Sequence, residues 1–468
     1  MSTVVKHIRA ARKAHLAQFS ELLSIPSVST DSRHAKDVRR AGDWVRKKLK
    51  QAGCPRVELH DTPRHPIVYG EWLGAPAAPT ILVYGHYDVQ PVDPLELWDH
   101  PPFDPLVKNG RIYARGASDN KGQFLAHVNA FESHIRDTGR CPVNVKFLIE
   151  GEEEIGSPNL DSFIVENRKR LACDAVIVSD TAMFGAGVPS ICYGLRGLAY
   201  LEIHVRGTDR DLHSGTFGGS VINPANALVE MLAALKDNRG RVRVPGFYDK
   251  VRRLRPAERR AFAALPHSDR RWKREVGAPQ LYGEAGYSTL ERIWARPTLD
   301  VNGIWGGFTG EGAKTVIPAE ASAKISMRLV PDQRPKEIAR KVTAHLKRIA
   351  PLSVKVTVRE LHGGDAWITP TDHPAMQAAA RALRRAFGRK AVMVREGGSI
   401  PIVAEFERRL KVPTVLMGLG LNDDNLHAPN EKMELNNFYR GIEASAFLME
   451  ELGNAGGDGR GSRATERR

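Results

Sequence analysis

The sequence Ile81-Leu-Val-Tyr-Gly-His-Tyr-Asp88 predicts a central strand and the start of a functional site. Its apolar and aromatic run, ended by Gly85, is typical of a short buried strand in a parallel sheet, and such strands carry functional residues just past their C-terminal ends. His86 and Asp88 lie at that point. Side chains two residues apart in an extended chain point the same way, so Asp88 could hold one ring nitrogen of His86 while the other binds a metal. A hydrogen-bonded turn is the alternative interpretation.

The same arrangement, a strand followed by acidic residues, recurs downstream. We predict strands over Val143–Glu150 and Ala175–Ser179, and a helix from about Gln123 to His134 that begins after a glycine-flanked turn carrying Asp119. Strands that alternate with helices indicate an α/β fold, with a helix-flanked, mainly parallel sheet.

From Gly197 onward the pattern indicates a second, smaller domain. Leu198–Val205, Ala323–Val330 and Val354–Val358 alternate apolar and polar residues, as strands with one buried face do. Predicted helices between them complete an α+β domain of ferredoxin-like type, inserted into the first domain. We therefore assign residues 1–197 and 385–452 to the larger domain, 198–384 to the inserted domain with a basic insertion near 244–296, and 453–468 to a disordered tail.

Composition excludes several classes of protein. At 468 residues the chain is long enough for two domains. No run of about eighteen apolar residues could cross a bilayer, and the N-terminal residues lack the features of a signal peptide. The cysteines Cys54, Cys141, Cys173 and Cys192 are far apart, which fits free thiols in a reducing compartment. These features predict a cytoplasmic protein that does not act at a membrane.

The net charge of +15 and the pI near 9.7 raise the question of a nucleic-acid partner. The excess arginine is scattered over predicted helix faces, and aromatic residues do not alternate with basic ones as a base-stacking surface requires. Neither a helix-turn-helix nor a zinc-finger pattern is present. We therefore expect no nucleic-acid partner.

Carboxylates and imidazoles follow the predicted strands of the larger domain. Hard carboxylate oxygens combined with imidazoles suit zinc, manganese or cobalt, and the candidates outnumber the three protein ligands of a usual catalytic zinc. We therefore expect two divalent ions, about 3.5–4 Å apart, bridged by a carboxylate and with a water between them. The candidate residues are His86, Asp88, Asp119, Glu153, Glu154, Asp180 and His427.

Several of these candidates also have an ordinary structural interpretation. Glu152 to Glu154 could form an acidic surface turn, Asp180 could cap a helix, and His427 could be a loop histidine. Adjacent carboxylates are costly to ionise in a dry cleft unless cations are near. Glu153 and Glu154 therefore favour a metal site in which one carboxylate binds an ion and the other moves a proton.

In this pattern the sequence resembles the M20 metallopeptidases, in particular the branch of cytosolic non-specific dipeptidases and carnosinases. The matching motifs occur in order over almost the whole chain, from about residue 10 to residue 450. They are Gly85-His-Tyr-Asp-Val-Gln-Pro91, Arg115-Gly-Ala-Ser-Asp-Asn-Lys-Gly122, Glu150-Gly-Glu-Glu-Glu-Ile-Gly156, Asp211-Leu-His-Ser-Gly215, Arg395-Glu-Gly-Gly-Ser-Ile-Pro401 and His427-Ala-Pro-Asn-Glu431.

The resemblance implies a specific set of metal ligands. One ion would be bound by His86, Asp119 and Asp180, and the other by Asp119, Glu154 and His427, so that Asp119 bridges the two. The implied cofactors are two divalent ions per subunit, with Zn2+ as the first choice and Mn2+ or Co2+ as alternatives.

The resemblance also implies catalytic and substrate-binding roles. Asp88 would orient the histidine ligand, and Glu153 would be the general base. The inserted domain would serve as lid and dimerisation domain of a homodimer, with His213 reaching the active site of the other subunit. The residues implied to contact substrate are His213, Thr315, Arg328, His362 and Ser399. For Arg328, a solvated position at the edge of a strand is the structural alternative.

The predicted function is hydrolysis of dipeptides by a dinuclear metallopeptidase. The alternative within the same superfamily is an N-acyl-amino-acid amidohydrolase, because the metal site would be shared and only the pocket would differ. A catalytically silent binding protein of the same fold is a third interpretation. It would be expected to lack Glu153 or one of the ligands, and all of them are present.

Overall fold

The computed structural model describes residues 3–458. The chain divides into two compact units. The first unit comprises Met1–Tyr193, Thr369–Val394 and Glu405–Arg468, and the second comprises Gly194–Ile368 and Arg395–Ala404. Within the described residues, no helix has both the length and the apolar character that crossing a membrane requires.

The strands, in chain order, are β1 (Arg56–His60), β2 (Ile67–Trp72), β3 (Thr80–His86), β4 (Leu106–Lys108), β5 (Arg111–Tyr113), β6 (Asn144–Glu150), β7 (Ala175–Val178), β8 (Ser190–Leu195), β9 (Gly197–Arg206), β10 (Leu212–His213), β11 (Asp300–Gly306), β12 (Val316–Ile317), β13 (Glu320–Leu329), β14 (Lys355–Gly364), β15 (Trp367–Ile368), β16 (Val392–Glu396), β17 (Thr414–Leu416) and β18 (Lys432–Glu434). The α-helices are α1 (Thr3–Ala10), α2 (Arg12–Leu23), α3 (Ala35–Gln51), α4 (Gly122–Thr138), α5 (Leu160–Glu166), α6 (Ser214–Phe217), α7 (Pro224–Ala233), α8 (Pro256–Ala263), α9 (Asp269–Glu275), α10 (Thr289–Ala295), α11 (Pro335–Ile349), α12 (Pro374–Phe387), α13 (Pro401–Leu410) and α14 (Leu435–Asp458).

A mixed sheet forms the centre of the first unit, with the strand order β1-β2-β6-β3-β7-β17-β8. The central strands β6, β3, β7 and β17 pair in parallel, whereas the strands on either side pair antiparallel. Helices α3, α4 and α12 pack against the sheet. The predicted helix-flanked α/β fold is confirmed, with parallel pairing confined to the four central strands.

Strand β3 is buried along most of its length because it has neighbours on both sides and helices above it. Its residues from Ile81 to His86 are all buried, as expected for a central parallel strand. A Cβ atom at Gly85 would lie 2.5 Å from the Cβ atom of Phe124 in α4, so only glycine fits there. This close approach places His86 beside the turn that precedes α4, where its backbone N–H donates to Oδ1 of Asn120 at 3.3 Å.

The second unit contains a four-stranded antiparallel sheet in the order β11-β13-β9-β14. Its elements follow the chain order β9-α7-β11-β13-α11-β14, and α7 and α11 pack on the sheet. Leu201, Ile203 and Val205 of β9 lie in the core, as their alternation predicts. Strand β11 was not predicted, since Val301 and Ile304 are about half exposed and the segment has no buried face.

The basic insertion predicted near 244–296 contains α8, α9 and α10. Part of its positive charge is neutralised within the second unit, because Arg259 pairs with Glu291 at 2.6 Å and Arg296 pairs with Glu284 at 2.7 Å.

Two of the predicted domain limits fall inside helices. The limit at residue 384 lies within α12, which belongs to the first unit. Helix α14 continues to Asp458, so the first residues of the predicted tail at 453–468 are helical, and residues 459–468 lie outside the described part of the chain.

Candidate metal centre

His86 ends strand β3, and its side chain is fully buried. Its Nε2 lies 3.1 Å from Oδ1 of Asp119 and 3.6 Å from Oδ1 of Asp180. Its Nδ1 lies 3.1 Å from the backbone carbonyl oxygen of Asp88. Because a carbonyl oxygen only accepts, this hydrogen bond places a ring proton on Nδ1. In the neutral ring, the Nε2 lone pair then points at two carboxylates, which is unfavourable unless a cation lies between them.

Asp88 is fully buried and connects His86 with the acidic loop. One of its carboxylate oxygens accepts from the backbone N–H of Glu153 at 3.3 Å, and the other accepts from the N–H of Glu154 at 3.1 Å. The carboxylate is 3.4 Å from Nδ1 of His86, farther than the Asp88 carbonyl oxygen. Asp88 therefore orients the imidazole mainly through its backbone and fixes the loop through its side chain.

Glu152 anchors the acidic loop, so the alternative of an acidic surface turn is wrong. Its side chain is buried and accepts from the backbone N–H of His65 at 2.8 Å and from Nδ2 of Asn159 at 2.8 Å. Oε2 of Glu154 accepts from Nε2 of Gln90 at 2.7 Å. With Glu152 held inward, the Glu154 carboxylate lies at the centre, 3.4 Å from Nε2 of His427.

Asp119 lies in a turn whose backbone N–H groups donate hydrogen bonds to the buried carboxylate of Glu431. The turn begins at Gly116, whose φ of +87° is in the left-handed region that favours glycine. Glu431 accepts from the backbone N–H groups of Gly116 at 3.0 Å, Ser118 at 3.0 Å and Asp119 at 3.1 Å. It also accepts from Nη1 of Arg115 at 2.8 Å, and both of these charged side chains are about 1% exposed.

Asn120 ties the Asp119 turn to the end of β7. The peptide bond between Asp119 and Asn120 is cis. The Nδ2 group of Asn120 donates to the carbonyl oxygen of Ser179 at 2.6 Å and to Oδ1 of Asp180 at 2.7 Å. Since Asn120 also accepts from the backbone of His86, one buried amide sets the relative positions of three candidate ligands.

His427 comes from the loop after β17 and completes the cluster. Its Nε2 lies 2.9 Å from Oδ2 of Asp119 and 3.4 Å from Oε2 of Glu154. Its backbone φ is +59°, unusual for a residue other than glycine. Of the clustered side chains, His427 is the most exposed at 55%.

These side chains form two groups, each suited to one metal ion. In His86, Asp119 and Asp180, one ligand atom per residue lies within 4.8 Å of the others, and the same holds for Asp119, Glu154 and His427. Oxygen and imidazole donors suit zinc, manganese or cobalt. Among the described residues, buried Nε2 of His86 and Oε1 of Glu154 lack a hydrogen-bond partner of acceptable geometry, which fits a role as metal ligands.

The cluster holds more carboxylates than imidazoles, and the pKa shifts of its side chains follow from that imbalance. Burial, reinforced by the charges of Asp180 and Asp119, raises the pKa of Glu153 well above its usual range, and burial with Asp119 does the same for Glu154. Burial alone would lower the pKa of His86, yet the carboxylates of Asp119 and Asp180 close to its Nε2 raise it well above the usual value. Divalent cations would supply the charge that lets these acids ionise. The residues present therefore fit metal ions.

All the residues predicted to contact substrate lie in the second unit, and two of them contact each other. Nη1 of Arg328, near the end of β13, donates to Oγ of Ser399 at 3.0 Å. Arg328 is mostly buried, so the alternative of a solvated edge position is wrong, and burial lowers its pKa.

The other three predicted substrate contacts are exposed in the second unit. Nδ1 of His213 accepts from the backbone N–H of Gly215 at 3.0 Å. The carbonyl oxygen of Thr315 accepts from the N–H of Ser214 at 3.0 Å. The ring of His362 lies over Tyr200, with ring centroids 5.0 Å apart.

The chain as a whole was compared with known proteins. The profile of peptidase family M20/M25/M40 matches residues 82–451, which is most of the chain. This chain belongs to that family. The match includes every residue of the two candidate metal groups, from His86 to His427.

Relatives in the M20/M25/M40 family cover nearly the full length of the chain. The Cys-Gly metallodipeptidase dug1 of Schizosaccharomyces pombe is 36% identical over 452 residues, which cover 93% of this chain and 95% of the relative. The crystal structure of human carnosine dipeptidase 1 has a TM-score of 0.83 at 32% identity, covering 96% of this chain and 98% of that one. The dipeptidase Dug1p of Saccharomyces cerevisiae has a TM-score of 0.82 at 29% identity, covering 97% and 98%.

Proposed function

We propose that this M20-family enzyme is a metal-dependent dipeptidase. The observation that carries the proposal is the pair of three-ligand groups that share Asp119, with the buried acidic loop of Glu153 beside them. The relatives named above are dipeptidases, and they match this chain over more than nine-tenths of its length. A dipeptidase is therefore favoured over a deacylase of the same superfamily.

We assign the metal ligands from the two groups. His86, Asp119 and Asp180 would hold one divalent ion, and Asp119, Glu154 and His427 would hold the second, with Asp119 shared. Zinc is the first choice, with manganese or cobalt as alternatives. Bound there, the ions would supply a water acidic enough to attack at neutral pH and a Lewis acid for the substrate carbonyl.

The proton transfers fall to Glu153. Its backbone N–H is held by Asp88, and it lies close enough to Asp180 and Asp119 for their charges to act on it. We assign it as the general base that takes the proton of the attacking water and returns it to the leaving amine. Divalent ions beside Glu153 would let it ionise and so accept the proton, and its buried position favours the protonated form once the proton has been taken.

Residues of the second unit would bind the ends of the substrate. Arg328, held by Ser399, offers a guanidinium that can make two parallel hydrogen bonds to the C-terminal carboxylate. Since Nδ1 of His213 accepts from Gly215, its neutral ring carries the proton on Nε2, the donor needed for the oxyanion of the tetrahedral intermediate. We assign Thr315 and His362 as further substrate contacts.

We also propose a homodimer in which His213 serves the active site of the other subunit. His213 is exposed in the single chain, and its local contact with Gly215 uses Nδ1, so Nε2 is the ring nitrogen that could serve a second subunit; this supports the proposal. A cytoplasmic location is proposed because Cys54, Cys141 and Cys173 carry free thiols, as in a reducing compartment.

The proposal is tested by hydrolysis of a substrate panel. Metal-stripped protein, with zinc or manganese restored, is assayed on several dipeptides, one tripeptide and several N-acyl amino acids. Glu153→Gln is compared with Glu166→Gln, which makes the same change at an exposed position of the same unit. We expect dipeptide cleavage that depends on metal, falls about 10²–10⁴-fold in Glu153→Gln, and is unchanged in the control.

Two results would overturn the proposal. Turnover of N-acyl amino acids with none of dipeptides would reassign the enzyme as a deacylase. Absence of turnover on every compound with metal bound would make a binding protein the better account.

A further inference from the structure

Arg196 makes two hydrogen bonds with the turn that carries Ser399. Its Nε donates to the carbonyl oxygen of Gly397 at 3.1 Å, and its own carbonyl oxygen accepts from Oγ of Ser399 at 2.5 Å. A Cβ at Gly397 would lie 2.8 Å from Nη2 of Arg196, so the turn is packed directly on the guanidinium. All of these atoms belong to the second unit.

In this arrangement the Ser399 hydroxyl cannot donate a hydrogen bond to a ligand. A hydroxyl has one proton, and the carbonyl oxygen of Arg196 can only accept, so that proton is committed there. Oγ accepts from Nη1 of Arg328 at 3.0 Å. Ser399 therefore holds Arg328 in place, and a substrate carboxylate must take its hydrogen bonds from the remaining N–H groups of Arg328 and of the turn.

Arg196 and Arg328 form a pair of mostly buried cations that lack an acidic partner. Among residues 3–454, whose side chains the structure describes, neither guanidinium lies within 4.0 Å of a carboxylate oxygen. Burial, with the charge of Arg328 added, lowers the pKa of Arg196 to about 10, which leaves it charged at neutral pH, and Arg328 is charged as guanidinium groups in proteins are. The acid whose charge acts on both is Asp300, which is exposed and pairs with Lys236 at 3.7 Å. Two mostly buried guanidinium groups without a neighbouring carboxylate favour the binding of an anionic ligand group.

We propose that Arg196 is a positioning residue that sets the selectivity of this enzyme for substrates with a free C-terminal carboxylate. This rests on the proposed dipeptidase function and adds a residue to it. Arg196 acts by fixing the Gly397–Ser399 turn, and through it Arg328, and by adding a second buried positive charge near the place where the carboxylate binds.

The test measures binding without turnover. Zinc-loaded Glu153→Gln protein is titrated calorimetrically with a dipeptide and with the same dipeptide as its C-terminal amide, with and without Arg196→Met. Arg340→Met, at an exposed position of α11 in the same unit, is the matched control. We expect Arg196→Met to weaken dipeptide binding about tenfold and to leave amide binding unchanged, because only the carboxylate uses the positioned charge.

Arg196→Lys provides a second variant that keeps the charge and most of the stem. A lysine cannot reproduce the Nε contact with Gly397, so we expect an intermediate loss for the dipeptide and none for the amide. An equal loss for dipeptide and amide would mean a structural role alone, and a dipeptide affinity within twofold of the parent protein would remove Arg196 from recognition; either result overturns the proposal. The proposed dipeptidase function is tested separately, and it fails if the protein that retains Glu153 hydrolyses no dipeptide.

Discussion

Replacement of Glu431 by glutamine should lower both the stability of the protein and the metal affinity of the candidate centre. The Glu431 carboxylate accepts from Arg115 and from the backbone of the turn that carries Asp119. Glutamine has nearly the same shape but no charge, and its NH2 group would face donors. The change therefore leaves the buried guanidinium of Arg115 without its counter-charge and the turn without part of its support.

The expected cost follows from burial. Breaking a buried ion pair by removing one partner costs about 3–5 kcal/mol, and Glu431 and Arg115 are each about 1% exposed. Glutamine can still accept some of the backbone N–H bonds through one oxygen, so we expect a loss of about 3 kcal/mol in the free energy of unfolding. Because Asp119 is common to both ligand groups, zinc affinity should fall about 10–100-fold.

Urea unfolding of metal-free protein and zinc affinity by chelator competition measure the two effects. Glu434→Gln is the matched control, since Glu434 makes a partly exposed pair with Arg111 at 2.6 Å and should cost no more than about 1 kcal/mol. If Glu431→Gln unfolds like the control and binds zinc within about threefold of the parent protein, the Glu431 carboxylate does not support the site as argued.

Two further changes test the framework around the centre. Gly116→Ala should lower the free energy of unfolding by about 1–3 kcal/mol, measured by urea unfolding, because φ is +87° and the new Cβ would lie 2.7 Å from Cγ1 of Val89; a loss below about 0.5 kcal/mol would contradict this. Buried His127 donates from Nε2 to Oγ of Ser179 at 2.8 Å, because that hydroxyl gives its own proton to the carbonyl oxygen of Met417. Burial lowers the pKa of His127 from 6.5 to about 4. The unfolded chain therefore takes up a proton before the folded chain does, and His127 should remove up to about 3 kcal/mol of stability as the pH falls from 6.5 to 4. The metal-free His127→Gln protein should show a correspondingly flatter pH profile, and an unchanged profile would show that His127 does not titrate in this way.

Much of the candidate metal centre was predictable because its candidate ligands follow the ends of strands. A buried apolar run fixes β3, and the parallel pairing of β3 with β6 and β7 brings the residues that follow each strand to one edge of the sheet. His86 and Asp180 were predicted as ligands in this way. Asp119 was predicted because a glycine-flanked turn before a helix is a local signal.

The supporting residues could not be found in this way, because their partners are far apart in sequence. Glu431 is 316 residues from Arg115, and no local pattern links the two. Asn120 and Glu431 both lie inside the motifs that carry the family resemblance, so their position next to predicted ligands was the available signal. Strand β11 was missed for a different reason, since it has no buried face and its burial pattern does not alternate.

Zinc content per chain tests the central claim most directly, because the account requires two ions that share Asp119. Metal-stripped protein is reloaded with zinc, dialysed and analysed for bound metal, with Asp180→Asn and His427→Gln beside it. We predict two ions per chain for the unaltered protein and one for each variant, since each variant removes a ligand from one group only. A single ion in the unaltered protein, or two in both variants, would contradict a dinuclear centre built from these residues.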